Sequence, residues 1–460
     1  MPRIWSAAGL IAVLIAGMLS ACAPARPPSA PLTTIITATE QPVRGGRSSV
    51  PAERWTALSV LTWDDFYDHV RQHAPDLRAA RERARAAVSQ IDSAGSWGDP
   101  RLAAEVAPRT INSDGELGYG LRLSQPMAWP QRLRAERAQA VAEAQAGVAD
   151  LQVRDRHHLV QARAAYAEYW LYTQLLLVIH AESIWAEAQI GAAEAMVAGG
   201  GPGQDLAMAR AELAMLHREH ATVSRTLYTN GTAMMVAMLG LPGDATIPPP
   251  VAELPPAQVD IIPARQDLLE LARGRPEVMA ATARLQMAQA TLAQASTNRL
   301  PEWDVEAGWN TMEDDRAMRF TLGVGVAIPV PDRARAAERT TAQYLVQAAQ
   351  AERDLARAEA DRAVLDAEAR LREYAAHIHI LRDQEIPARE AAVALAESAQ
   401  ANGQGSLAAG ILARRLQFSA TRELLNAEHE FFHWLGELEY CIGMALVAPA
   451  RGASPESTAP

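Results

Sequence analysis

The residues whose types and spacing could do chemistry are His429, Glu430 and His433, which form the motif His-Glu-Phe-Phe-His. Two histidines one helical turn apart can bind zinc, and the adjacent glutamate can activate a zinc-bound water for peptide hydrolysis. A catalytic zinc needs a third protein ligand. No histidine follows His433, and the acids that do follow lie on the same predicted helix or in the C-terminal tail. We interpret the motif as a coincidence and keep a zinc metalloprotease as the alternative.

The composition favours long helices and argues against several other classes of protein. Of the 460 residues 49% are hydrophobic but only 5% are aromatic, and all 43 basic residues are arginine. Alanine and arginine are strong helix formers, so an all-β fold is unfavoured. The net charge of -11 argues against nucleic-acid binding. Two cysteines, Cys22 and Cys441, cannot form a disulfide framework or a cysteine-based zinc site.

The N-terminus carries a secretion signal. Arg3 precedes an apolar run that ends in Leu19-Ser-Ala-Cys22. The run is too short for a spanning helix, and its end resembles a bacterial lipobox, which implies that residues 1–21 are removed and that Cys22 is acylated. Ala23 follows the cysteine, and the resemblance implies sorting to the outer membrane. Residues 22–60, rich in Pro, Ser, Thr and Ala, are predicted to form an extended lipidated tether.

The rest of the chain is an internal duplication. Residues of the same type recur at an offset of 201 residues, among them the pairs Pro75 and Pro276, Pro100 and Pro301, Pro130 and Pro331, and Leu206 and Leu407. We predict a first repeat over 61–241, a Pro-rich linker over 242–261, a second repeat over 262–447 and a disordered tail over 448–460.

Each repeat is predicted to contain the same elements. A helix of about 30 residues comes first (Trp63 to Ser96 and Gln266 to Asn298), followed by two strands in which apolar residues alternate with small or charged ones. Strands of this kind are typical of a transmembrane barrel, with lipid on one face and water on the other. The polar loops 109–115 and 311–317 would then face the exterior.

A long helical hairpin follows each strand pair. The outgoing helices, 131–198 and 332–401, are predicted to run without interruption for about 100 Å. Glycine-rich turns at 199–203 and 402–405 end them. Helices over 205–239 and 406–446 return. Four strands cannot close a barrel in lipid, so the subunit is predicted to oligomerise and share one.

In this order of parts, with Arg275-Pro-Glu-Val278 and Ile328-Pro-Val-Pro331, residues 61 to 447 resemble the TolC-like outer membrane factor family. The resemblance implies a mainly α fold with a membrane β-barrel portion, in a homotrimer with twelve strands in one barrel and twelve long helices in one periplasmic tunnel. It also implies a periplasmic membrane-fusion adaptor and an inner-membrane pump as partners, with the pump of the resistance-nodulation-division type.

The function implied is a passive exit duct of a tripartite efflux system for small toxic compounds or metal ions, with no enzymatic activity, cofactor or resident metal. A duct for type I protein secretion stays open as an alternative within transport. A periplasmic zinc metalloprotease and a structural coiled-coil lipoprotein stay open outside it.

Two sets of site residues go with this hypothesis. The periplasmic aperture at the helical tips is assigned to Gly199, Gly203, Gln204, Asp205, Arg210, Asn402, Gly403, Gln404 and Arg414. Charges in the barrel lumen are assigned to the inward positions of the strands, Glu105, Glu116, Arg122, Asp304, Glu306 and Arg319. Asp205 could form an acidic ring at the aperture or cap its helix; both readings stay open.

Overall fold

The structure, a computed structural model, describes residues 30–39, 59–107, 118–200, 203–257, 262–311, 320–328, 333–402, 404–444 and 446. The chain folds into two compact units. The first is built from the described parts of residues 1–38, 83–148 and 286–345, and the second from those of residues 39–82, 149–285 and 346–460. The predicted fold class is confirmed, because the described residues are mainly helical with one small antiparallel sheet.

The elements follow one another along the chain in the order that the two repeats predict. The helices are α1 (Ala30–Ala38), α2 (Trp63–His73), α3 (Pro75–Ser93), α4 (Pro130–Ala198), α5 (Gln204–Thr226), α6 (Ala233–Leu239), α7 (Arg265–Ala272), α8 (Pro276–Thr297), α9 (Arg333–Ile380), α10 (Ile386–Ala401) and α11 (Leu407–Ile442). The strands are β1 (Arg101–Ala107), β2 (Gly118–Met127), β3 (Glu302–Asn310) and β4 (Phe320–Ala327). Two π-helical turns, Leu227–Thr232 and Leu381–Glu385, interrupt the long helices.

The N-terminal segment differs from the extended tether that the sequence predicts, because Ala30–Ala38 form helix α1. Leu32 and Ile36 lie one turn apart on this helix and both are buried, so apolar packing favours the helical conformation. Directly after it, Arg81 donates to the carbonyl oxygen of Thr39 at 2.7 Å. Cys22 lies outside the described residues.

The first predicted helix of each repeat is broken in two. Helix α2 ends at His73 and α3 begins at Pro75, and in the second repeat α7 ends at Ala272 and α8 begins at Pro276. Proline disfavours the helical conformation of the residue before it, and Ala74 is accordingly extended at φ -54° and ψ 123°. The apolar periodicity continues across the break, which is why the sequence pattern alone predicts one helix.

The four strands form a single antiparallel sheet in the order β1-β2-β3-β4, within the first unit. Consecutive strands are therefore neighbours, and β2 of the first repeat pairs with β3 of the second. Strands β1 and β4 are the edges of the sheet. The predicted loops 109–115 and 311–317 lie, apart from Thr311, outside the described residues.

The outgoing helix of the first repeat is continuous over 69 residues, as predicted. The equivalent helix of the second repeat is not, because the π turn Leu381–Glu385 separates α9 from α10. Pro387 follows directly, in the first turn of α10. Proline lacks a backbone donor and clashes with the carbonyl four residues earlier, here Asp383, and the wider π turn accommodates both.

The repeats are not related by a single offset. Pro75 and Pro276, which begin α3 and α8, keep the predicted offset, but the helical hairpins are related by a slightly larger one. Helices α5 and α11, the returning arms, begin at Gln204 and Leu407. Leu407 is therefore the counterpart of Gln204, and its predicted pairing with Leu206 is wrong.

The Pro-rich segment between the repeats packs in the second unit. Tyr169 donates through its hydroxyl to the carbonyl of Pro248 at 3.1 Å, and the indole of Trp170 donates to Ala252 at 3.4 Å. The amide of Leu61 donates to Pro249 at 2.8 Å. Helix α4 and the start of the first repeat thus donate hydrogen bonds to backbone carbonyls of this segment, which forms no helix or strand that would pair them.

The core of the second unit contains a buried ion pair. Arg163 of α4 and Glu439 of α11 are 2.8 Å apart, and each side chain is 7% exposed. The Arg163 guanidinium also lies 5.2 Å from the Trp63 ring centroid and 4.7 Å from that of Phe432. This ion pair therefore links a helix of the first repeat to a helix of the second.

No helix within the described ranges combines the length and the apolar composition needed to cross a bilayer.

Candidate functional site

One face of the sheet carries the predicted lumen charges. Because directly paired residues share a face, the strand registers place Glu105, Arg122, Asp304 and Glu306 together on this polar face. Arg122 and Glu105 form an exposed ion pair at 3.1 Å. Among the described residues neither Asp304 nor Glu306 forms an ion pair, so the face keeps two uncompensated carboxylates. Glu116 and Arg319 lie outside the described residues.

Small residues lie opposite the long charged ones on this polar face. Gly120 pairs with Glu105, Gly308 with Arg122, Gly323 with Glu306 and Gly325 with Asp304. At Gly325 a Cβ atom would lie 2.5 Å from an oxygen of Asp304. The Asp304 side chain therefore occupies space that Gly325, its cross-strand partner, leaves free.

The opposite face of the sheet is apolar and exposed. Leu102 is 72% exposed and Leu322 is 81% exposed, and Val106, Val324 and others of this face are similarly open. An exposed apolar face of this size, with two unpaired edges, is rare on a soluble monomer.

Aromatic rings mark both ends of this apolar face. Trp309 lies 6.2 Å from Tyr119 at one end, and Trp303 lies 6.2 Å from Trp129 at the other, between ring centroids. Six residues of strand, about 20 Å, separate Trp303 from Trp309. Two aromatic rows that bound an apolar band of about this height are typical of strands that cross a membrane.

The first helical tip lies between α4 and α5. Gly200 adopts a positive φ of 89°, and Gly203 is the N-cap of α5 without a side-chain cap. Gln204 and Asp205 lie in the first turn of α5, so the interpretation of Asp205 as the N-cap is wrong. The negative charge of Asp205 instead interacts favourably with the positive end of the helix dipole. Arg210 pairs with Glu194 of α4 at 2.9 Å, both side chains being exposed.

The second tip lies between α10 and α11 and is closed differently. Asn402 has a negative φ of -86°, and the amide of Gln404 donates to the carbonyl of Ala399 at 2.9 Å. Ser406, which the sequence analysis did not single out, accepts from the amide of Ala409 and caps α11. Arg414 pairs with Glu397 of α10 at 2.5 Å. Gly403 lies outside the described residues.

A charged cluster that the sequence analysis missed lies farther along the same helices. It consists of Glu182 on α4, Glu212 and Glu219 on α5, and Arg415 and Arg422 on α11. Arg422 contacts Glu182 and lies 3.5 Å from Glu219, while Arg415 lies 3.9 Å from Glu212. We call these five residues the Glu182 cluster. Its members come from both repeats, at separations that no local pattern reports.

The His-Glu-Phe-Phe-His motif lies on α11, largely within the core. Phe431 and Phe432 are buried, and Trp434 donates to an oxygen of Glu430 at 3.2 Å. A hydrogen bond with His429 lowers the pKa of Glu430, while burial lowers that of His433. The described part of the chain holds no group of three or more His, Cys, Asp or Glu side chains arranged for a metal ion.

Part of the second repeat is similar to a known protein family. Residues 268–432 match the family model described as outer membrane efflux protein. The chain is similar to outer membrane efflux proteins over these residues. No curated protein sequence matches the chain. The efflux protein family consists of channels rather than enzymes, and its members form trimers and work with adaptor and inner-membrane pump partners.

Solved structures share the fold of this chain at low identity. The outer membrane protein VceC of Vibrio cholerae is 18% identical, with a TM-score of 0.70 over 87% of this chain and 100% of that one. The CmeC outer membrane channel of Campylobacter jejuni is 14% identical, with a TM-score of 0.70 over 87% and 89%. The open-state MtrE outer membrane channel of Neisseria gonorrhoeae is 18% identical, with a TM-score of 0.64 over 84% and 89%.

Proposed function

We propose that this chain is the passive exit duct of a tripartite efflux system, with its sheet in the outer membrane and its long helices in the periplasm. The main support for the proposal is the sheet. Its exposed apolar face, with aromatic rows at both ends, is suited to contact with lipid, and its polar face is suited to line an aqueous lumen. The fold shared with VceC and CmeC and the match of residues 268–432 to the outer membrane efflux protein model support the same function.

The duct is proposed to be a homotrimer of this chain. Four strands with two free edges cannot exist alone in lipid, because the edge amides and carbonyls would have no partner. Three copies supply twelve strands, above the roughly eight of the smallest membrane barrels. The same assembly brings six helical hairpins together around one axis.

The roles of the site residues follow from this assembly. Asp304, Glu306 and the Arg122–Glu105 pair would line the lumen, and the residues of the two tips would surround the periplasmic aperture. The tips would dock a membrane-fusion adaptor, which links the duct to a resistance-nodulation-division pump that exports small toxic compounds or metal ions. Acylated Cys22 would anchor each copy to the outer membrane.

The first experiment combines mass with conductance. We expect the detergent-purified protein to have a trimeric mass and to give discrete openings in a planar bilayer. Leu322 and Thr321 are neighbours on β4 whose side chains lie on opposite faces of the sheet. Leu322→Arg should strongly reduce membrane assembly, because a charge facing lipid costs about 2–4 kcal/mol at the bilayer centre. Thr321→Arg, facing the lumen, should assemble normally.

A monomer without conductance would contradict the proposal. So would equal assembly of the two arginine variants, because the faces of the sheet would then not differ in their surroundings.

A further inference from the structure

The Glu182 cluster lies where the first helical hairpin meets the second. Helices α4, α5 and α11 pack together near it through Ala193, Ala209, Leu407 and Ile411. The exposed pairs Arg210–Glu194 and Arg414–Glu397 each join the two arms of one hairpin. The Glu182 cluster instead joins α11 to the two helices of the other hairpin, so its contacts break if the hairpins separate.

Glu182 is the buried member of this cluster. Its side chain is only 2% exposed and contacts the Arg422 guanidinium, which is itself 19% exposed. From α5, Glu219 and Glu212 face it, and from α11 Arg415 does. Arg422 is shared, because it also lies 3.5 Å from Glu219. One guanidinium therefore serves two carboxylates, and Glu182 has no counterion to itself.

The cluster has three carboxylates and two guanidiniums, so it is one positive charge short of neutrality. Glu219 and Arg415 are 35% and 53% exposed and so are partly hydrated, but Glu182 is almost completely buried and shares its counterion, and a proton on its carboxyl neutralises it. We propose that the Glu182 cluster is a proton-sensitive latch, which binds one proton per chain while α11 packs against α4 and α5 and releases it when α11 moves away. The role of the latch at the aperture rests on the proposed duct function.

The pKa of Glu182 agrees with this geometry. Burial, together with the neighbouring Glu219 and Glu212 and only partly offset by Arg422 and Arg415, raises the pKa of Glu182 from 4.5 to about 7. Separation of the helices would hydrate the carboxyl and return its pKa toward 4.5. The packed arrangement therefore binds the proton more tightly, so it is stabilised as pH falls through 7 toward 4.5. Above neutral pH this stabilisation is lost and release of α11 becomes easier.

The test is the pH dependence of channel opening. For the full-length protein in a planar bilayer, we expect the ratio of open to closed time to rise roughly tenfold or more between pH 5.5 and 7.5, since one proton changes an equilibrium by up to tenfold per pH unit. Glu182→Gln mimics the protonated carboxyl and should keep this ratio low at both pH values.

Glu385→Gln is the matched control. Glu385 is the counterpart of Glu182 in the second hairpin, at the same distance from the start of its outgoing helix. Among the described residues its ion-pair partner is Arg389, one turn farther along in α10, at 2.7 Å, and Glu385 is one third exposed. Its removal should leave the pH profile unchanged. If Glu182→Gln keeps the wild-type profile while the channel conducts, the latch is refuted and the duct function stands.

A second readout does not need conductance. Infrared absorption of carboxyl groups should show, in the wild-type and Glu385→Gln proteins, one group per chain that titrates near neutral pH and is missing in Glu182→Gln. Absence of this group refutes the latch even if the protein conducts. If this titrating group is present in a protein that never conducts, the result supports proton binding by the Glu182 cluster and contradicts only the proposed duct function.

Discussion

The guanidinium of Arg163 lies in the interior of the second unit, with the Glu439 carboxylate as its counterion and two aromatic rings against its faces. Loss of one partner from such a pair leaves a buried charge without compensation. We therefore expect Glu439→Ala to lower the free energy of unfolding by about 3–5 kcal/mol. Thermal unfolding in detergent, followed by circular dichroism, measures the change.

The double variant Arg163→Met with Glu439→Leu is the control for this prediction. It removes both charges and keeps the volume apolar, so it should be more stable than Glu439→Ala alone. Equal loss in the two variants would mean that shape, and not charge, accounts for the role of this pair.

Single residues also mark the limit of sequence reasoning. The alternation along the strands was enough to assign Glu105, Arg122, Asp304 and Glu306 to one face, because the side-chain period of a strand is fixed. The pair Arg163–Glu439 and the Glu182 cluster could not be found in this way. Their members come from distant parts of the chain, and each looks like an ordinary charge on a helix.

At the scale of elements, two glycines of the helical hairpins differ in the space around them. Gly191 lies inside α4 and has nothing within 4 Å of a Cβ position. Gly231 lies in a π turn, where a Cβ would be 3.1 Å from Leu227 and 3.3 Å from Tyr169. We expect Gly191→Ala to raise the free energy of unfolding by about 0.5–1 kcal/mol, and Gly231→Ala to lower it by about 1–3 kcal/mol.

Unfolding of the two alanine variants in parallel checks this prediction. A loss of stability in Gly191→Ala would indicate that another copy of the chain approaches α4 closely at this position.

The elements were predicted in type and order, but their interruptions were not. Prolines held at one offset were sufficient to find the duplication, and periodicity gave the long helices. Proline causes the helix breaks before Pro75 and Pro276 and the π turn before Pro387. Apolar periodicity continues across these positions, so it does not show how the backbone adjusts to each proline.

At the scale of the whole molecule, the polar sheet face would select the ions that pass through the proposed duct. Asp304 and Glu306 carry negative charge that no described residue neutralises, and three copies would place six carboxylates in one lumen. We expect Asp304→Asn with Glu306→Gln to reduce the permeability ratio of cations to anions severalfold. The reversal potential in a salt gradient measures this ratio.

The control removes charges that already compensate each other. Glu105→Gln with Arg122→Gln leaves the net charge of the face unchanged, so its reversal potential should stay close to that of the wild type. A larger effect of this control than of the Asp304 and Glu306 changes would contradict the assignment.

The two hairpins have arms of equal residue number, yet the π turn lies in the returning arm of the first and in the outgoing arm of the second. A π turn takes up one residue more than an α turn, so side chains beyond it are rotated by about 100° relative to an uninterrupted helix. Six hairpins from three copies would therefore have threefold but not sixfold rotational symmetry. A partner that occupied all six positions would meet two alternating kinds of surface, and identical partner subunits would have to bind in two different ways.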